Sequence, residues 1–186
     1  LEAHRPNVVA RLKGNGSKRP LLIMGHTDVV NVDPAKWTQP PFGAVRDGGY
    51  IYGRGTVDDK DNVTAALMTM LVLKRANVPL DRDVIFMAEA GEEGQTRVGI
   101  EYMVGEHFPA IDAEYCIAES GNVMRAGGVV RYASVQTGEK IPNGIDLVAQ
   151  GPSGHGSIPL ENNAIAHLAN AVAAITEWQP PVTLNP

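Results

Sequence analysis

The chain has a single cysteine, Cys116, among 186 residues. That excludes an internal disulfide framework and any zinc site built on cysteines. Cys116 lies in "EYCIAE", which reads as a strand, so a buried structural thiol is expected there. Such a thiol is compatible with a reducing compartment. Positive charge is not in excess: the net charge is −5, and the footprint of a nucleic-acid-binding surface is missing. No apolar run approaches the roughly 20 residues that span a bilayer. There is no internal repeat and no low-complexity tract. Position 1 is leucine rather than methionine, no signal-like segment follows, and nothing folded closes the Pro-rich "QPPVTLNP". A piece of a longer protein is therefore expected, and the lack of a targeting signal carries no weight. What is present is ordinary globular composition, 44% hydrophobic and 20% charged, with enough length for one good domain or parts of two.

"NVVARLKGNGSKRPLLIMGH" reads as two strands around a Gly14-Asn15-Gly16 turn. The second, Pro20 to Met24, is a continuous apolar run of the kind found in buried central strands. "DGGYIYGRG" suggests a short hairpin. Residues 60–76 predict a well-buried helix, with Val63, Ala66, Leu67, Met70 and Leu71 at helical spacing and Ala65, Met68 and Val72 widening the stripe. "DVIFMAEAG" is the next strand, a helix follows near 96–105, and "AEYCIAESG" is a third buried strand. Strands alternating with helices predict an α/β fold, a largely parallel sheet with helices on both faces. After Val129 the pattern changes. "VVRYASVQTGEK" and "NGIDLVAQG" read as strands with no helix between them. "ENNAIAHLANAVAAITEW" reads as an amphipathic helix with Ile165, Leu168, Val172 and Ile175 on one face. A boundary near residue 144 divides the chain into a first domain, 1–144, and the start of a second, 145–186.

Three predicted buried strands run into polar clusters: His26 and Asp28, then Glu92 and Glu93, then Glu119. A further pair, Asp58 and Asp59, stands just before the long helix. In open α/β sheets ligands gather outside the carboxyl ends of the strands. His26, Asp58, Glu93 and Glu119 brought together would set three carboxylates side by side, and like charges at that range disfavour ionisation unless a cation compensates them. Imidazole with carboxylates is a zinc-type ligand set, and one carboxylate can bridge two ions. Asp28 would then hold the other ring nitrogen of His26, and Glu92, beside a ligand, would be free to act on a water. Each pattern alone also has a plainer reading: a surface turn for His-x-Asp, a solvated loop for Glu-Glu, and helix capping for Asp-Asp.

Taken in order, "GHTDVV", "YGRGTVDDK", "AEAGEEG", "AES" and "GPSGHGSIP" resemble the motifs of the M20 metallopeptidases over about residues 20–178. These are co-catalytic zinc enzymes that include carboxypeptidases, amino-acid deacylases and dipeptidases. The resemblance implies a zinc-peptidase-like catalytic domain followed by the start of a smaller α+β lid or dimerisation domain. It implies two divalent ions, zinc first, with cobalt or manganese able to use such ligands. His26 would bind one ion with Asp28 orienting it, Asp58 would bridge, Glu93 would bind the other ion, and Glu119 would complete the ion held by His26. Glu92 would be the general base. His155, between glycines, would reach from the lid into a partner subunit's site and stabilise the oxyanion. The implied partners are a small peptide or N-acyl amino acid substrate and a second copy in a homodimer, with neither nucleic acid nor membrane.

Two departures stand out. Asp61 follows "DDK" where many members have glycine, and the family's last histidine ligand has no counterpart here, so the chain alone is expected to be inactive. Two rival readings remain. A serine hydrolase would use Ser153 or Ser120, but neither lies in a complete Gly-x-Ser-x-Gly. A non-catalytic binding module could keep the same fold.

Overall fold

In the computed structural model, residues 2–138 and 144–181 are described. The chain divides into two compact units, Leu1–Gln136 and Thr137–Pro186. No helix among the described residues is long and apolar enough to cross a membrane.

The first unit is built on a four-stranded sheet. Its strands are β1 (Val8–Leu12), β2 (Leu21–His26), β5 (Val84–Glu89) and β6 (Tyr115–Ile117), in the order β1-β5-β2-β6. Between β2 and β5 come a small hairpin, β3 (Val45–Asp47) with β4 (Tyr50–Tyr52), and a 16-residue helix, α1 (Lys60–Arg75). After β5 come a 3₁₀ turn at Thr96–Val98 and two short helices, α2 (Ile100–Glu106) and α3 (Phe108–Ile111). A second hairpin, β7 (Asn122–Ala126) with β8 (Val129–Ser134), ends the unit.

β2 runs parallel to both β5 and β6, and only β1 is antiparallel. This is the expected α/β architecture. β5 is the central strand, with all six residues buried, and its side chains alternate between two cores as the strand period requires. Val84, Phe86 and Ala88 pack on Ala66 and Met70 of α1. Ile85 and Met87 pack with Leu22 against Met103 of α2 and Ile111 of α3. Helices thus cover both faces of the sheet.

Three expectations change. The strands flanking Gly14-Asn15-Gly16 exist but do not pair, because β5 inserts between them. The connection steps over β5 and is pinned to the segment entering it: Asn15 and Lys18 donate main-chain N–H groups to the carbonyls of Leu80 and Asp81. Asp83 accepts the Gly14 N–H and pairs with Arg11 and Lys13. Lys13 and those partners hold its carboxyl well below the ordinary range, at about 2. Second, α1 buries only one face. Ala66 and Met70 are inside, while Leu67, Met68 and Val72 are exposed. Third, β6 is an edge strand rather than a buried one. Its only strand partner among the described residues is β2, Tyr115 and Ile117 are exposed, and so is Cys116.

In the second unit, α4 (Ala164–Glu177) forms as the periodicity predicts. Asn163 caps it, its side-chain oxygen accepting the Ile165 N–H at 2.8 Å. The apolar face, Ile165, Leu168, Val172 and Ile175, is exposed. Residues 144–151 form no strand, since no described segment of this unit pairs with them. The end of the first expected strand, residues 139–140, and the tail 182–186 lie outside the described residues.

Candidate active site

The parallel strands β2 and β5 end side by side, with His26 opposite Glu89 in the register, and β6 joins the far side of β2. Their carboxyl ends therefore open on one edge of the sheet, where loops collect ligands. α1 packs across β2 and brings its preceding turn, with Asp58 and Asp59, to the same edge.

His26 is the centre. It is 1% exposed, and its Nε2 faces a ring of carboxylates. Asp58 Oδ1 is 3.0 Å away, Glu119 Oε2 3.3 Å and Glu92 Oε2 3.8 Å. One donor atom each from His26, Asp58 and Glu119 lie within 4.8 Å of one another, a grouping able to hold a metal ion. Four polar groups far apart in the sequence thus meet at one nitrogen.

The other ring nitrogen is held through Asp28, by an atom the sequence did not suggest. Nδ1 lies 3.0 Å from the Asp28 main-chain carbonyl and 3.6 Å from its carboxylate. A carbonyl only accepts, so this contact places a proton on Nδ1 and leaves Nε2 free to bind a cation or take a proton. The Asp28 carboxylate does something else. Its Oδ1 accepts the N–H groups of Gly91 and Glu92 at 2.7 and 3.2 Å, and its Oδ2 accepts that of Glu93 at 3.1 Å. It anchors the loop that carries both glutamates. Gly91 suits this turn: its φ is +88°, and a Cβ would stand 2.7 Å from Val98 Cγ2.

Two further buried acids complete the site: Glu89, which the sequence did not single out, and Asp59, which stood out only as the neighbour of Asp58. Asp59, 2% exposed, follows Asp58 through a cis peptide bond, and its Oδ2 accepts the His26 main-chain N–H at 3.0 Å. That contact explains Gly25, where a Cβ would collide with the Asp59 carboxylate. Glu89 is 4% exposed, and its Oε2 is buried without a partner. The available signal for Glu89 was a charged residue at the end of an otherwise apolar strand. Asp59 stood out beside Asp58, but its anchoring role did not, since Asp-Asp before a helix also reads as capping.

The electrostatics follow from crowding. Burial alone would lower the His26 pKa. The Asp28 carbonyl, the Glu119 and Glu92 charges and the Asp58 hydrogen bond outweigh it and hold the pKa above the ordinary value. Glu92 and Glu119 are pushed up, by burial first and by neighbouring carboxylates second. Asp59 is raised by burial, and Glu89 reaches about 7 for the same reason. Asp28 goes the other way: burial would raise it, but the N–H groups of Glu93, Gly91 and Glu92 favour its ionised form.

Glu93 stands apart from the His26 cluster. Its carboxylate makes no ion pair among the described residues, and it lines a cleft of about 370 Å³ with Arg5, Asp28 and Gln95. His155 lies in the second unit, exposed, beside a cavity of about 300 Å³. Its Nδ1 is 2.8 Å from Ser157 Oγ and accepts the Ser157 N–H at 3.2 Å.

Residues 22–185 match the family model described as peptidase family M20/M25/M40. The chain belongs to this family. Among curated M20 relatives, an uncharacterized carboxypeptidase, C24C9.08, of Schizosaccharomyces pombe is 30% identical over 169 residues, 88% of this chain and 28% of the relative. The N-formyl-4-amino-5-aminomethyl-2-methylpyrimidine deformylase of Halalkalibacterium halodurans is 45% identical over 91 residues, 47% of this chain and 21% of that one. Among solved structures, the M20 metallo-carboxypeptidase Sso-CP2 from Sulfolobus solfataricus aligns with a TM-score of 0.56 at 32% identity, covering 63% of this chain and 26% of that one. The chain thus spans under a third of these M20 relatives.

Proposed function

We propose that the complete protein is a metal-dependent hydrolase that cleaves an amide bond of a peptide or N-acyl amino acid. The observation that carries this is the convergence of Asp58, Glu119 and Glu92 on Nε2 of buried His26. Three carboxylates beside one imidazole, two of them with raised pKa values, form a donor set that fits a divalent cation. His26, Asp58 and Glu119 would hold one ion, and Asp58 and Glu93 would serve as ligands of a second. Zinc suits the set best, and cobalt or manganese can share it. When bound, such ions supply Lewis acidity, which eases loss of a proton from water and polarises a carbonyl.

The chain's own residues would do the rest. Glu92 takes a proton from the attacking water on Oε2 and passes it to the leaving amine nitrogen. Its raised pKa moves it toward the operating range of a general base. Asp28 keeps Glu92 in place by holding its main chain. His155 is the oxyanion donor. The Ser157 N–H can only donate, so Nδ1 of His155 carries no proton and Nε2–H is left as a donor. Residues 1–144 form the first part of the catalytic domain and 145–186 the start of a lid through which a homodimer assembles. The serine-hydrolase alternative lacks support. Among the described residues His155 bonds Ser157, and neither Ser120 nor Ser153 meets a histidine. The relatives' names, a carboxypeptidase and a deformylase, keep both peptide and acyl-amine substrates in view.

The test is Glu92→Gln in the complete protein. Turnover on an amide panel should fall by about 10²–10⁴-fold, while bound metal per chain, measured by plasma mass spectrometry, stays the same. Undiminished turnover would remove Glu92 from the role. Turnover of the parent protein that is indifferent to chelation would remove the metal.

A further inference from the structure

We propose that Asn7 is a positioning residue for the proposed active site, clasping the loop that presents Glu92 and Glu93. The antiparallel run of β1 makes this possible. Val8 pairs with Ala88, so the residue before β1 lies beside the carboxyl end of β5, where that loop begins. The Asn7 amide spans both ends of the loop. Its Oδ1 accepts the Ala90 N–H at 2.9 Å, and its Nδ2 donates to the Val98 carbonyl at 2.8 Å. The partners fix the orientation of the amide, because an N–H can only donate and a carbonyl can only accept.

Between these two anchors lie residues 91–97. Asp28 holds the near part through Gly91, Glu92 and Glu93. The loop also turns on itself, with Gln95 N–H on the Gly91 carbonyl at 2.7 Å and Val98 N–H on the Gln95 carbonyl at 3.0 Å. Arg5, two residues before Asn7, reaches the Gln95 side chain. The segment ahead of β1 is therefore a brace for the loop as well as the lead-in to an edge strand. Only a short planar amide supplies a donor and an acceptor at this spacing. Aspartate cannot donate to the Val98 carbonyl, and alanine offers neither group. Asn7 acts through the loop and touches no reacting atom, so its effect belongs to the placement of Glu92.

This inference rests on Glu92 as the general base, and two readouts separate the two ideas. Asn7→Ala and Asn7→Asp are made in the complete protein. Hydrogen exchange followed by mass spectrometry reads the loop directly. Losing both bonds should speed exchange in residues 90–99 by roughly tenfold, with α1 and β2 unchanged. Asn7→Asp keeps the Ala90 contact but sets a carboxylate oxygen against the Val98 carbonyl, so it should also accelerate exchange in residues 90–99. In steady-state kinetics kcat should fall on the order of ten- to a hundredfold, with KM within about twofold and bound metal unchanged. Exchange unaltered at 90–99, or accelerated equally throughout the sheet, would overturn the clasp whatever the activity. Exchange accelerated at 90–99 with kcat at the parent value would overturn the positioning role. A parent protein inert on every amide would sink the hydrolase reading, and the exchange experiment would still decide the clasp.

Discussion

Glu89 gives the sharpest quantitative expectation. It closes β5, is 4% exposed, and has one oxygen with no partner. Burial, reinforced by the Glu92 and Asp28 charges and opposed by the Ile100 N–H and His26, raises its pKa from an ordinary 4.5 to about 7. The folded state therefore holds this proton more tightly than the unfolded chain does. Its contribution to stability is complete below the unfolded pKa and is lost as pH rises through the folded one. A rise from 4.5 to about 7 is equivalent to about 3 kcal/mol. Glu89→Gln keeps the size of the side chain and removes the titration. In urea unfolding of the complete, chelator-treated protein, the parent should lose stability between pH 5 and pH 8. The variant should lose about 2.5 kcal/mol less over the same interval. Glu92, Glu119 and Asp59 titrate in the same direction, so the difference between the two proteins, and not the parent's slope, is the measurement. Parallel pH profiles would refute the assignment of a buried, protonated acid at position 89.

Two further substitutions probe the supports of the site. Gly25→Ala drives a methyl into the Asp59 carboxylate and within 3.0 Å of Val63 Cγ2, and should cost about 1–3 kcal/mol by overpacking. An unchanged urea midpoint would contradict the close approach. Asp28→Asn turns an amide N–H₂ toward main-chain donors that now meet carboxylate oxygens, and should cost about 1.5–3 kcal/mol. Because the Asp28 pKa is depressed in the fold, its contribution is present above the unfolded pKa and lost as pH falls through the folded one. The gap between parent and variant should therefore narrow in acid, and a gap independent of pH would count against the three N–H contacts.

The parts of the fold that sequence made legible are those set by local periodicity. The β5 run "VIFMAE" and helices α1 and α4 lie where their apolar spacing predicts. The failures share a cause, which is that burial and pairing are decided by distant segments. Gly14-Asn15-Gly16 looks like a hairpin turn, yet β5, some seventy residues on, takes the place between the two strands. "YCI" reads as a core strand but lies at a sheet edge. At the site the ligand-type residues announced themselves as polar interruptions at strand ends. Asn7 and the anchoring role of Asp59 did not, because an asparagine before a strand and an aspartate before a helix have ordinary local uses. Their contacts exist only once β1 lies antiparallel to β5 and α1 crosses β2.

The arrangement divides labour between side-chain charge and main-chain geometry. Asp58, Glu92 and Glu119 turn their carboxylates toward one nitrogen, where mutual repulsion and desolvation work against them. Such a cluster keeps its shape only if something other than the cluster fixes it. Asp28 and Asp59 serve that purpose, and both spend their carboxylates on main-chain N–H groups rather than on the ring they flank. Asp59 fixes the main chain of His26, and Asp28 fixes that of Glu92 and Glu93. Because these anchors bind backbone, they hold the loops whether the facing carboxylates are charged, protonated or neutralised by a cation. That separation keeps the loops in place around a ring of acids whose ionisation itself costs stability.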